Sequence, residues 1–206
     1  RTSNNRTMQI TVSQIESHIK KRGRGKLYLA QDFHKFGSDG AVRIALMRMV
    51  KRELLIRVAP GIYVYPKIDE KLGLGVLYPS MDDIAKLIAK RDKARIVPTG
   101  VYALHALGLS AQVPVNIVYL TDGAPRKIKI YNHRIHFKHT APKNLAYKCD
   151  LLMLVVSALK EIGNGNVTKE DLSKIKEVLT HDKKENILAD SNLAPAWIRK
   201  IVISLI

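Results

Sequence analysis

Five cations fall within fifteen residues of "AVRIALMRMVKRELLIRV": Arg43, Arg48, Lys51, Arg52 and Arg57. Guanidinium groups can bridge a guanine edge bidentately in the major groove, and flanking arginines or lysines can hold phosphates. Positions 43, 47 and 51 share one side of a helix, so Arg43, Met47 and Lys51 face outward together, with Arg48 and Arg52 on the flanks. Met47 offers a large apolar group to a thymine methyl or to a neighbouring side chain. Upstream, "KKRGRGK" (20–26) packs five cations around two glycines. Arg24 and Lys26 there either grip backbone phosphate beside the helix or belong to a basic helix end favoured by the macrodipole. Ser38 precedes the helix as its cap. The candidate DNA-binding set is therefore Ser38, Arg43, Met47, Arg48, Lys51, Arg52 and Arg57, with Arg24 and Lys26. The competing reading is a solvated basic face.

A second basic group lies in "RKIKIYNHRIHFKHT" (126–140): Arg126, Lys127, Lys129, Arg134 and Lys138. Two alternating runs read as a hairpin with Asn132 and His133 at its turn. Ile128, Ile130, Ile135 and Phe137 form one apolar face and leave the cations on the other. Such a surface meets DNA, meets an acidic protein, or stays solvated. His133, His136 and His139 do not suit a metal, because strand alternation points His136 away from His139. Cys149 and His105 sit in apolar helical surroundings and read as packed residues. No P-loop, HExxH or Asp-x-Asp pair is present, so no catalytic set, cofactor or metal is expected and the chain does not read as an enzyme.

Charge and length bound what these groups can serve. The 206 residues carry 35 Lys plus Arg against 18 Asp plus Glu, a net +17 with a pI near 10.0. The excess is spread, with 15 basic and 6 acidic residues up to position 78 and 20 and 12 after it, so both halves are candidates for an anionic partner. An excess of this size favours fast, salt-sensitive association with nucleic acid. Hydrophobic content of 46% excludes a disordered chain. The longest apolar run, "LLMLVV" (151–156), is too short to span a bilayer. No charged-then-apolar leader opens the sequence, and the lone cysteine fits a reducing compartment, so the cytoplasm is the expected location.

The elements that must position the cations follow from periodicity. Residues 1–8 read as a disordered tail or an extension foreign to the natural protein. Ile10, Ile15 and Ile19 predict a first helix ending at Gly23. "KLYLAQDFHKFG" gives a very short extended piece and a short helix ending near Gly37. Ser38 and Asp39 open a third helix, roughly 39–53, whose stripe of Val42, Ala45, Leu46, Met49 and Val50 faces a core. The period then becomes two across "LLIRVAPGIYVY", with Pro60 and Gly61 as the turn. Helix, helix, capped helix and hairpin within 9–68 is the order of a winged helix-turn-helix. "PKIDEKLGLG" mixes charge and glycine, and 69–75 reads as a linker. Residues 76–206 form a larger mixed domain, with strands and helices to about 140 and a helical tail over 149–206. Within it Ser80 with Asp83, and Thr168 with Asp171, are capping boxes. The fold class expected is α+β, a winged helix-turn-helix followed by a mixed α/β domain.

"AVRIALMRMVKRELLIRVAPGIYVYP" resembles the winged-helix N-domain of AbiEi-type antitoxins, in which a recognition helix leads into a strand, a turn and a Gly-aliphatic-Tyr strand, here Gly61, Ile62 and Tyr63. "IVPTGVYALHALGLSAQVPVNIVYLTDGAPRKIKI" resembles that family's following domain. Together the two blocks cover most of residues 9–140. The resemblance implies a bacterial type IV antitoxin of a toxin-antitoxin, abortive-infection system. Such a protein represses its own operon by binding operator DNA and neutralises a nucleotidyltransferase-fold toxin encoded by the adjacent gene. Pro60 stands where a basic wing-tip residue is often found, which shifts weight to Arg57. Other readings are a basic interaction module for an acidic protein, or a general winged-helix transcriptional regulator.

Overall fold

A computed structural model describes residues 2–70, 73 and 75–206, with side chains described from residue 9 onward. The chain divides into two compact units, Arg1–Leu87 and Ile88–Ile206.

The first unit opens with α1 (Thr2–Arg22), β1 (Leu27–Leu29) and a 3-10 helix (Ala30–Phe36). Next come α2 (Asp39–Lys51) and the strands β2 (Ile56–Ala59) and β3 (Ile62–Val64). The three strands pair antiparallel in the order β1-β3-β2. This is the winged-helix arrangement, in which the first strand docks beside the hairpin that follows the second and third helical segments. Helix α1 starts inside the span expected to be a tail, so the backbone from Thr2 onward is helical.

Burial explains the assembly. Ile15 and Ile19 of α1, Tyr28, Phe33, the α2 stripe Val42, Ala45, Leu46 and Met49, and Leu55 form one core with Tyr63 and Tyr65. Both tyrosines therefore pack into that core. Ile10 is 50% exposed. Ile15 is five positions further along the helix, about 140° of rotation, which carries Ile10 off the buried face. Gly37 lets the 3-10 helix approach α1, because a Cβ there would stand 2.9 Å from Oγ1 of Thr11. The same hydroxyl donates to the Phe36 carbonyl at 3.0 Å.

Helix α2 stops by a Schellman closure. Leu54 N–H reaches the Met49 carbonyl and Glu53 N–H reaches that of Val50, both at 3.0 Å. Glu53 holds the left-handed position, φ 59°, that glycine usually takes. The hairpin closes on Pro60 and Gly61, with Gly61 at φ 73° as a Pro-Gly turn requires.

The span expected as a linker carries structure. β4 (Lys67–Asp69) and β5 (Gly75–Leu77) pair antiparallel, Ile68 opposite Val76. Residues 71, 72 and 74 of that span lie outside the described set. Helix α3 (Met81–Arg91) begins with half of the expected box, Ser80 Oγ accepting from Asp83 N–H at 3.1 Å and donating to the Asp83 carboxylate at 2.7 Å, and the division between the units falls within this helix rather than at 69–75.

The second unit continues with β6 (Ile96–Thr99), α4 (Val101–Ala106), β7 (Asn116–Thr121), β8 (Arg126–Ile130) and β9 (His133–His139). The sheet order is β6-β7-β9-β8, with β7 and β9 parallel and the other neighbours antiparallel. Pro98 sits in β6, an edge strand, where its missing N–H breaks no inner ladder. After a short 3-10 turn (Pro142–Leu145) the tail is helical: α5 (Asp150–Ile162), α6 (Lys169–Leu179), α7 (Lys184–Ser191) and α8 (Ala196–Leu205). The α5 residues Leu152, Val155, Ala158 and Leu159 centre a core that takes in Val97, Ile175, Ile187, Ile198 and Val202. Ser157 ties α5 to the sheet through a 2.7 Å bond to the Pro98 carbonyl. Asp190, 5% exposed, accepts the N–H groups of Lys148 and Cys149 just before α5. Among the described residues no helix is long and apolar enough to cross a membrane.

Candidate nucleic-acid interface

Helix α2 buries one stripe, so its opposite side is left to solvent and the cations on that side stay free. Ser38 caps it, its hydroxyl accepting the Ala41 N–H at 3.4 Å, which fixes where the exposed first turn begins. Arg43, Arg48 and Lys51 are exposed, and Met47 is 63% exposed despite its apolar side chain. Arg57 projects from β2, opposite Tyr63 in the register of the hairpin. Arg43, Met47 and Arg57 line one open cleft of about 680 Å³ with His34, Asp39 and Gly61, between α2, the 3-10 helix and the wing. Among the described residues, none of Arg43, Arg48, Lys51 and Arg57 has a carboxylate within 4 Å. The cleft also holds an acid: Asp39, which opens α2, lies 3.4 Å from Nε2 of His34.

The remaining sequence-derived cations divide. Arg48, Lys51 and Arg52 line a separate hollow against α1, beside Gln9, Ser13 and Glu16. Arg52 is tied to Glu16 at 3.1 Å, and Glu16 also meets Lys20 at 2.7 Å. The bond from Lys20, reinforced by Arg52, holds the Glu16 carboxyl below its ordinary range against the opposing effect of partial burial. Arg52 thus braces α2 to α1 and belongs only loosely to the outward set. Arg24 donates to the Pro66 carbonyl at 3.0 Å, and its guanidinium lies 4.9 Å from the centre of the Tyr65 ring. Its charge is engaged within the unit, by partners that neither reading of the 20–26 segment named. Lys26 is exposed beside it. Nothing in the sequence signalled the partners of Arg24 and Arg52, which lie 42 and 36 residues away.

The β8–β9 register sorts the second basic group. Lys127 pairs with His136 and Lys129 with Arg134 on one face, which Lys138 shares by alternation. Ile128, Ile130, Ile135 and Phe137 take the other face, as expected. Arg126 does not belong with the cations. It shares parity with Ile128, stands opposite Phe137, and forms an ion pair with Asp92, which also meets Arg91 at 2.9 Å. The hairpin turn is Tyr131–Asn132, since His133 is already paired with Ile130. Partial burial and then the charges of Lys127, Lys138 and Arg134 lower the basicity of His136. The histidines diverge: His133 Nδ1 approaches the Pro114 carbonyl and His139 Nδ1 that of Gly123, each at 3.3 Å.

The deeper polar groups of the second unit are structural. Cys149 caps α5, accepting the Leu152 N–H at 3.2 Å and donating to Asp182 at 2.9 Å. Burial, with the Asp182 bond adding, pushes its thiol up to about 11. His105 stacks on Tyr102 with ring centres 5.9 Å apart.

No curated protein matches the chain. Residues 14–187 match the model of a family of unknown function, DUF6088, a span that runs from α1 of the first unit to α7 of the second. The chain belongs to that family.

Proposed function

We propose that this protein is an operator-binding antitoxin that acts in the cytoplasm. It represses its own operon through the winged helix and counters a nucleotidyltransferase-fold toxin from the adjacent gene through its second unit. The observation that carries the DNA-binding half is the convergence of Arg43, Met47 and Arg57 on one open cleft between α2 and the wing. In that cleft α2 enters the major groove, Arg43 reaches base edges, and Met47 meets a thymine methyl. Arg48, Lys51 and Arg57 hold phosphates on either side. The toxin-directed half rests on the sequence resemblance to AbiEi-type antitoxins. The role is one of binding rather than turnover.

The test uses the full chain and duplex DNA from upstream of its gene. With about six phosphate contacts, log K falls with log salt at a slope near −5, from about −0.9 per contact. Arg43→Ala should weaken operator binding by roughly 5- to 150-fold, the range of about 1–3 kcal/mol for a bidentate base contact, and should erode preference over random sequence. Arg57→Ala should weaken both duplexes alike. If Arg43→Ala leaves affinity and preference untouched, α2 is not the reading helix. Rescue of growth from the neighbouring gene's product should survive both substitutions, and its loss would tie neutralisation to DNA binding.

A further inference from the structure

The sheet of the second unit is half covered on its charged face. Strand register places Val97, Leu120 and Lys138 on that face, with Val118 beside His136 and Asn116 beside Arg134. Toward β6 the face is apolar, and Val97 and Leu120 join the core built on α5. Toward β9 and β8 it carries Lys127, Lys129, Arg134 and Lys138, all exposed, and among the described residues none has a carboxylate within 4 Å. Residues two apart on a strand are about 6.7 Å apart and neighbouring strands about 4.8 Å, so Lys127 and Lys129 on β8 stand beside His136 and Arg134 on β9, with Lys138 four residues beyond Arg134. The step of about 6.7 Å between Lys127 and Lys129 is of the order of the distance between successive phosphates on a nucleic-acid strand.

We propose that the cationic face of the β8–β9 hairpin is a second phosphate-binding surface, which holds duplex DNA backbone outside the bases read by α2. The choice of DNA as partner rests on the operator reading. An acidic protein fits less well. The centre of a protein interface is depleted of charge and anchored by aromatic or aliphatic side chains, and the residues exposed here are lysines and an arginine. Protection of a bare edge accounts for lysines on β8, the edge strand, but not for Arg134 and Lys138 on the inner strand β9. His136, on the same face, is made less basic first by partial burial and then by the charges of Lys127, Lys138 and Arg134. Once α2 is seated, the second unit is tethered near the duplex, so even weak phosphate contacts act at high effective concentration.

The test compares the wild-type full chain with Lys127→Gln/Lys129→Gln/Lys138→Gln, read by fluorescence anisotropy on a labelled random-sequence duplex across a salt series. Removal of three contacts should flatten the slope of log K against log salt by about 2.7, from roughly 0.9 each. Arg134→Gln/Lys138→Gln, confined to β9, should flatten it by about 1.8 on the same rule, which guards against misfolding of the triple variant. Unchanged slopes in both variants overturn the proposal. So does a loss confined to a labelled single-stranded RNA of the same sequence, or a loss of toxin rescue with duplex binding intact. Arg43→Ala is run alongside on the operator duplex. If it leaves operator affinity unchanged while the lysine variants flatten the slope, the helix assignment fails and this surface stands.

Discussion

Asp190→Ala is expected to unfold the second unit early. Its carboxylate is 5% exposed, and one oxygen accepts two backbone N–H groups, from Lys148 and from Cys149 at 2.7 Å, at the entry to α5. Bonds to a charged acceptor contribute about 1.5–3 kcal/mol each, and a donor left buried and unpaired costs a comparable amount. Two such bonds share one acceptor, and water enters the vacated space in part, so a loss of about 3 kcal/mol follows rather than the full sum. For a unit of this size that lowers the midpoint of thermal unfolding by roughly 10–15 °C. The chain's one tryptophan, Trp197, lies in α8 and packs on the core around α5. Its fluorescence in a urea titration therefore reports the second unit alone, while far-ultraviolet circular dichroism reports both. Asp190→Asn keeps one acceptor oxygen and should lose about half as much. A shift of less than about 0.5 kcal/mol for Asp190→Ala, the level of an ordinary surface change, would refute the capping role.

Arg24→Ala should destabilise the winged-helix unit by about 1 kcal/mol, through the lost Pro66 bond and the Tyr65 ring contact, and leave the salt slope of DNA binding unchanged. A slope smaller by about 0.9 would instead place Arg24 on a phosphate. Glu53→Gly should stabilise the same unit by about 0.5–1 kcal/mol in a denaturant titration, because it relieves a left-handed backbone while keeping the Schellman closure. Native Cys149 should react with iodoacetamide at pH 8 about a hundredfold more slowly than a thiol at the ordinary 9.0, since its own lies at about 11. Because that value is raised on folding, the neutral thiol's contribution to stability is complete below pH 9. It drains away as pH climbs toward about 11, which pH-dependent urea midpoints will show.

Local patterns in the sequence were decisive where neighbours in the chain decide the structure. The α2 stripe, its Ser38 cap, the Pro60–Gly61 turn and the Thr168–Asp171 box follow from spacings of four residues or fewer and are present, as is the hydroxyl half of the Ser80–Asp83 box. The strands β4 and β5 were hidden because three-residue segments in a glycine-rich, charged run leave no period to read. Arg126 is instructive in another way. It is expected among the lysines although strict alternation from Ile128 puts it on the apolar face, and only the fold supplies Asp92, 34 residues earlier, as the partner that makes the position tolerable. Arg24 and Arg52 looked as free as Arg43 in sequence, and distant contacts separated them.

The hairpin after α2 ends as abruptly as a hairpin can. With Ala59 and Ile62 still facing each other, only Pro60 and Gly61 extend past the last rung, and neither brings a hydrogen-bonding side chain. On the proposed operator reading, such a stub touches only the near lip of the groove, and base reading falls to α2 through Arg43 and Met47. A word that short recurs by chance throughout a genome. On that same reading, repeated copies of the word upstream of the gene supply the missing selectivity, and their spacing becomes part of the address.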